Sequence, residues 1–261
     1  MPLSWTLSAP YFLVFSFLCG VVGFRMGWRT RSRIGLPLVQ GVLGWAAYLA
    51  AASFLGAGWA AAAVGAWALG TTIASVYVFF RSPGDTDARV LRAQPYRETM
   101  LAWLESGGRQ EPHPFQTLGR HGRELIWYAA AAVLTANLAA IVMGAILLNS
   151  MNAYVATIVR ASIRPVRTAA LAWSVWSVVR VAAYIAIGAA GGSVILRLLR
   201  FRVEEATVRA LALGGVAGAA ADVVLKLALS RPLGRALAAS IDLAAARANR
   251  SAQATLALHL D

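Results

Sequence analysis

Three observations predict an all-α, polytopic membrane protein with six transmembrane helices. Of the 261 residues, 59% are hydrophobic and only 13% are charged, with a mean hydropathy of +0.63. A soluble domain carries nearer ~25% charged residues. The apolar residues come in long blocks, several of them exceeding the ~18 positions that mark a membrane span. Finally, 23 of the 24 basic residues are Arg, and most stand just outside those blocks. There, positive charge holds a loop on the cytoplasmic side and meets anionic headgroups. The net charge of +13 is explained by this setting, and no pattern of interleaved basic and aromatic residues suggests nucleic acid as a partner.

The first span is expected at residues 5–24. No basic residue precedes it, which argues for a retained helix rather than a cleaved leader. Arg25, Arg29, Arg31 and Arg33 follow within a short loop. This is the strongest orientation signal in the chain, and it predicts a cytoplasmic loop with the N-terminus outside. Ile34 to Phe80 then run for 47 positions without a charge, too long for one crossing and right for two. Spans at 34–54 and 58–80 are therefore expected, with a turn at the helix-weakening Gly56 and Gly58. Gln40, Gly41, Gly44, Gly65 and Gly70 offer polar or small packing positions within them.

Residues 81–124 form the only sizeable polar segment, read as a cytoplasmic loop. Pro95 suits the first turn of a helix in which Tyr96, Met100, Trp103 and Leu104 share a face, and Gly107 and Gly108 stop it. That helix should lie on the membrane or on the bundle. A fourth span is expected at 125–148, with Trp127 and Tyr128 as interfacial anchors, Asn137 in mid-span, and Asn149 and Asn152 at its exit. Residues 151–167 carry Arg160, Arg164, Arg167 and Pro165, and read as too charged to cross. Spans five and six are expected at 168–196 and 210–229. After Pro232, the tail 231–261 places Leu233, Leu237, Ile241 and Ala245 on one helical stripe suited to the bilayer surface. An Asn249-Arg250-Ser251 match to the glycosylation pattern is too short to carry weight.

Six spans place both termini on one side, and the three-plus-three division around the polar segment is compatible with an inverted repeat. Arg160, Arg164 and Arg167 then fall on the side opposite to the other arginines, a conflict within this scheme.

Charge inside a span costs at least ~2.5 kcal/mol on insertion scales, so it is paired, interior or both. Span six carries Gly214, Gly218, Asp222 and Lys226 at successive i, i+4 positions on one face. Span five carries a matching row of Arg180, Tyr184, Gly188 and Gly192. The connecting loop is short, so the two should pack antiparallel, with residue numbers at equal depth summing to about 405 by the ~1.5 Å rise. That register brings Arg180 to Asp222 and Gly188 to the region of Gly218. The glycines read as helix-packing positions. The pair reads either as a lock on helix register or as a substrate or proton site formed by Arg180, Asp222, Lys226, Tyr184 and Asn137.

No catalytic, metal or cofactor site is predicted. His113, His121, Glu111 and Glu124 match no zinc spacing, no phosphate loop of Walker type is present, and the lone Cys19 can form no intramolecular disulfide. The chain is expected not to be an enzyme. The composition, rich in Arg and Ala, suggests a bacterial inner (plasma) membrane, with anionic headgroups and other membrane subunits as partners. A transport or permease-type component for a small solute or lipid is the leading functional expectation. A non-catalytic scaffold or accessory subunit of a membrane complex is the alternative.

Overall fold

In hydrocarbon a peptide backbone has only itself to bond to, so the long uncharged runs fold as helices. The computed structural model describes residues 3–109, 114–201 and 203–246. These form α1 (Leu3–Arg29), α2 (Gly35–Leu55), α3 (Ala57–Arg81), α4 (Pro83–Arg89), α5 (Ala93–Glu105), α6 (Pro114–Leu134), α7 (Leu138–Arg160), α8 (Pro165–Ala172), α9 (Val175–Leu198) and α10 (Glu205–Ala238). Six of them, α1, α2, α3, α7, α9 and α10, are long and apolar enough to cross a membrane. The chain is a multi-pass membrane protein.

The second and third spans lie where the charge pattern predicts, within a residue of the expected ends. The first runs on to Arg29, so Arg25 and Arg29 belong to its last turns and not to the loop. Gly56, with φ at 91°, closes α2 and lets α3 begin at the next residue. The backbones of α1 and α3 approach each other where Gly20 meets Trp67 and Gly70 meets Phe17. Gln40 is fully buried and exchanges two hydrogen bonds with Asn149 of α7. Its Nε2 donates to Asn149 Oδ1 at 3.3 Å, and Asn149 Nδ2 donates to Gln40 Oε1 at 2.7 Å.

The fourth span differs from the expected 125–148. The helix breaks at Thr135–Asn137, where Ala136 and Asn137 take φ of 48° and 76°. Asn is among the few residues that adopt this left-handed conformation readily. Thr135 Oγ1 donates to Ala131 O and accepts from the backbone N–H of Ala139, and the backbone N–H of Asn137 reaches back to Ala132 O. The crossing helix is instead α7, which carries Asn149, Asn152 and Arg160. Its charge is tolerable because Arg160 is the last residue. The guanidinium donates to Phe79 O and Phe80 O at 2.7 and 2.8 Å, satisfying carbonyls that the end of α3 leaves without helical partners.

The fifth span also starts later than expected. Ser174 accepts the backbone N–H groups of Ser177 and Val178 and so begins α9 at Val175, leaving α8 as a separate short helix. At the far end, Pro232 lies inside α10 rather than opening a new element. Leu237 is buried against α5 and α7, with Leu233 and Ile241 packed on the same cluster, and the backbone N–H of Asp242 donates to Ala161 O. The predicted stripe therefore rests on protein through residue 246, except for Ala245, which is exposed. The Asn249 match lies outside the described residues.

These shifts reassign the ends of the bundle. Arg160 lies beside the end of α3, so α9 departs from the same end, and α10 returns to it with Ser230 beside Trp103 of α5. Arg160, Arg164 and Arg167 thus join Arg29, Arg31 and Arg81, while Arg197, Arg200 and Arg209 lie at the opposite end. The conflict in the sequence scheme is thereby moved: Arg197, Arg200 and Arg209 are now the arginines opposite the arginine-rich side. α6 packs beside α7 and α9, and the start of α1 and the end of α10 lie at opposite ends, not at the same one.

Cysteine accessibility checks this arrangement. In a Cys19→Ala background, single cysteines at Arg31 and Arg235 should react from one face of sealed vesicles, and one at Arg200 from the other. Reaction of the Arg31 and Arg235 positions from opposite faces would restore the even-crossing scheme.

Candidate functional site

α9 and α10 pack antiparallel because small residues meet along the seam. A Cβ added to Gly215 would fall 2.5 Å from Ile187, and one on Gly218 would fall 3.0 Å from Ala183. Facing residues have numbers summing to 401 or 402, within a turn of the expected register. At that register Arg180 and Asp222 form a two-bonded pair. Nε donates to Oδ2 at 2.8 Å and Nη2 to Oδ1 at 3.1 Å. The Asp222 side chain is 4% exposed and that of Arg180 is 28% exposed. The carboxylate is thus enclosed, while the guanidinium, with Nη1 outside the pair, presents itself to a space.

That space is a cavity of about 90 Å³ among α3, α6, α7 and α9, lined by Arg180, Tyr184, Tyr128, Ser177, Trp67 and Met151 among others. Tyr96 of α5 also lines it. Burial pushes the Tyr96 phenol up from its ordinary value, and the Arg180 charge pulls part of the way back, so at neutral pH it is a neutral hydroxyl. α5 is held across the arginine-rich end of the bundle. Trp103 Nε1 donates to Ser230 Oγ at 2.9 Å and packs edge-on against Trp176. Arg97 grips Asp87 through two bonds of 2.7 and 2.5 Å. Arg33 donates to Ala88 O and Asp87 O, and Arg89 stacks over Trp28.

A second, larger space of about 610 Å³ lies to the side, bounded by Arg92, Arg123, Glu124, Trp127 and Met143 among others. Tyr128, Tyr184 and Leu147 line both spaces. The two tyrosine rings stack with centroids 4.8 Å apart, forming the partition between them.

No family model, curated protein or solved structure matches this chain.

Of the residues that the sequence singled out, Arg180 and Tyr184 line the cavity, and Asp222 orients Arg180 from behind. Lys226 is half-buried one turn beyond Asp222 and does not line the space. Asn137 is 1% exposed and occupies the α6–α7 turn instead. Its Oδ1 has no hydrogen-bond partner among the described residues. Gly188 and Gly192 serve this turn rather than α10. A Cβ on Gly188 would lie 2.6 Å from Asn137 Oδ1, and one on Gly192 would lie 2.6 Å from Tyr48 Oη. Gly214 faces open space, so of the expected packing pair in α10 only Gly218 touches α9. Tyr96 and Tyr128, expected on a surface-helix face and as an interfacial anchor, line the cavity instead, and Ser177 was not singled out by the sequence. The four-residue spacings of Ser177 to Val181 and of Arg180 to Tyr184 signal the α9 face that Ser177 extends. Tyr96 and Tyr128 come from α5 and α6, and only the tertiary structure brings them there. Among the described residues no group of three or more metal-ligating side chains occurs. His121 contacts Glu124 at 3.6 Å, and Glu111 and His113 lie outside the described residues.

Two stability measurements follow, both by thermal unfolding in detergent. Arg180→Leu and Asp222→Leu should each destabilise strongly, since breaking a buried pair costs ~3–5 kcal/mol, and the double substitution should recover most of the loss. Additive losses would mean that the residues do not pair. Lys226→Leu should cost less than either. Gly188→Ala and Gly192→Ala should each cost ~1–3 kcal/mol through overpacking. Gly214→Ala should be neutral or stabilising by up to ~1 kcal/mol, because it adds helix propensity without a clash. Equal effects at all three positions would remove the turn-receiving role from Gly188 and Gly192.

Proposed function

We propose that this protein is a permease-type transport component that admits a small solute or lipid to a polar centre at Arg180. The observation that supports it is the two-chamber arrangement, in which a cavity bearing an oriented guanidinium adjoins a side cleft across two stacked tyrosines. A buried pair that served only to fix helix register would need no space beside it. Here the carboxylate is enclosed and the cation is presented. Intramembrane ionisable groups in transport proteins line pathways in this way, and ligand pockets between the helices of a bundle commonly combine apolar walls with a few polar groups.

The reading carries no catalytic step and no cofactor. In this reading the protein belongs to a bacterial inner membrane, with the start of α1 outside. The end bearing Arg29, Arg81 and Arg160 is then in the cytoplasm, an orientation that the arginine bias supports. The permease works alone or with a partner chain that supplies energy.

Reconstitution into proteoliposomes tests the proposal. One assay follows the translocation of fluorescent phospholipid by dithionite quenching, and another follows the release of small labelled anions. Either flux should appear with the wild type and fall at least tenfold in the folded Arg180→Leu/Asp222→Leu variant. Flux that is unchanged in that variant removes the pair from the path. Absence of both fluxes, together with a stoichiometric co-purifying subunit, supports the accessory-subunit role in place of transport.

A further inference from the structure

Resting on that reading, we propose that the side cleft is a binding site for a phosphodiester lipid, held by Arg92 and Arg123. The phosphate sits between the two guanidiniums, and an acyl chain runs along Leu147 and Met143. The cleft, the route toward it and its charge all bear on the choice between lipid and water-borne solute.

α5 lies across the arginine-rich end of the bundle, tied to α4, α9 and α10 by the bonds and ring contacts described above. Tyr96, on this helix, walls the inner cavity on that side. The larger space instead lies on the flank between the α4–α5 turn, α6 and α7. Around it the surface is apolar and outward-facing: Ile126 is 69% exposed and Trp127 is 71% exposed. In a helix bundle that crosses a bilayer, such a flank meets lipid tails. A molecule reaching Tyr128 and Tyr184 through this cleft therefore arrives from the bilayer.

The polar groups are gathered at one end of the cleft. Leu91 O accepts from Ser150 Oγ at 3.0 Å, which fixes the α4–α5 turn, and so Arg92, about ten residues from the arginine-rich end of α7. Arg123 and Glu124 approach from α6. Met143 lies seven residues further from the arginine-rich end than Ser150, about 10 Å along the helical rise. The cleft thus runs from polar at the α4–α5 turn to apolar along α7, the order of groups in a phospholipid. Two arginines, permanently charged, and one carboxylate leave it with one net positive charge, matching a singly charged phosphodiester. Glu124 also contacts His121, which turns part of its charge toward its own helix. Arg suits phosphate because its planar fork donates two bonds at once, and Trp127 has the amphipathic ring that favours the interface.

Native mass spectrometry of the detergent-purified protein tests the site. The probes are phosphatidylglycerol, a diacylglycerol with the same chains, and inorganic phosphate. The expected result is phosphatidylglycerol adducts at least tenfold more abundant than diacylglycerol adducts. They should fall at least tenfold in Arg92→Gln/Arg123→Gln, fall further with Arg123→Glu in place of Arg123→Gln, and persist in Arg200→Gln, whose arginine lies at the opposite end. Unfolding temperatures confirm that each variant is folded, and Arg92→Lys/Arg123→Lys, which keeps the charges, should retain more lipid than the glutamine variant. Equal binding of diacylglycerol, or phosphatidylglycerol binding that ignores the substitutions, overturns the proposal. Arginine-dependent binding of inorganic phosphate without the lipid also overturns it and assigns the cleft to a soluble anion. Binding is read here without flux. A lipid retained by a protein that transports nothing removes the transport reading alone, and flux without arginine-dependent lipid removes this site alone.

Discussion

α7 crosses the membrane only because its polar side chains find partners inside the bundle. Asn149 exchanges hydrogen bonds with Gln40 of α2, Asn152 donates to Ser75 of α3, Ser150 reaches Leu91 O, and Arg160 covers the carbonyls at the end of α3. An unpaired amide in hydrocarbon costs several kcal/mol. Each of these contacts therefore specifies a neighbour and a depth as well as adding stability. Together they set α7 against α2 and α3, place the α4–α5 turn, and put Arg160 at the arginine-rich end. The direction of every later helix follows from that placement.

The α6–α7 turn is the complementary constraint. It is lodged against α2 and α9 rather than in a loop outside the bundle. Trp45 Nε1 donates to Ala136 O at 2.9 Å, and Gly188 and Gly192 leave the room that Asn137 occupies. Non-helical backbone at membrane depth survives only when protein encloses it, and the glycines of α9 provide that enclosure. The same turn sets α6 beside α9, bringing Tyr128 onto Tyr184. One irregular segment thus creates both the partition and the cleft beside it.

The Arg180–Asp222 pair joins this scaffold to the proposed chemistry. Desolvating two charges is expensive, and a pair of this kind is weak evidence for stability by itself. Its geometry is more informative. Asp222 takes two donors and is enclosed, so the guanidinium is fixed in orientation while one of its nitrogens stays outside the pair. The strap made by α4 and α5, bound through Arg97–Asp87 and Arg89–Trp28, walls the space beside it.

The membrane class, the first three spans, the surface helix around Trp103 and the Arg180–Asp222 pair were all legible in the sequence. Each depends on local composition or on the fixed 1.5 Å rise between two helices joined by a short loop. The break at Asn137, the crossing by α7 and the docking of the segment after Pro232 were decided by the tertiary structure. For these, hydropathy alone favours Leu125–Leu148 as a continuous span and counts Asn149, Asn152 and Arg160 against crossing. The outcome turns on Gln40, Ser75 and Phe79, between 77 and 109 residues away in the chain. The cost of a polar group in a membrane is set by whether a partner stands beside it, and a linear sequence does not show who that partner is.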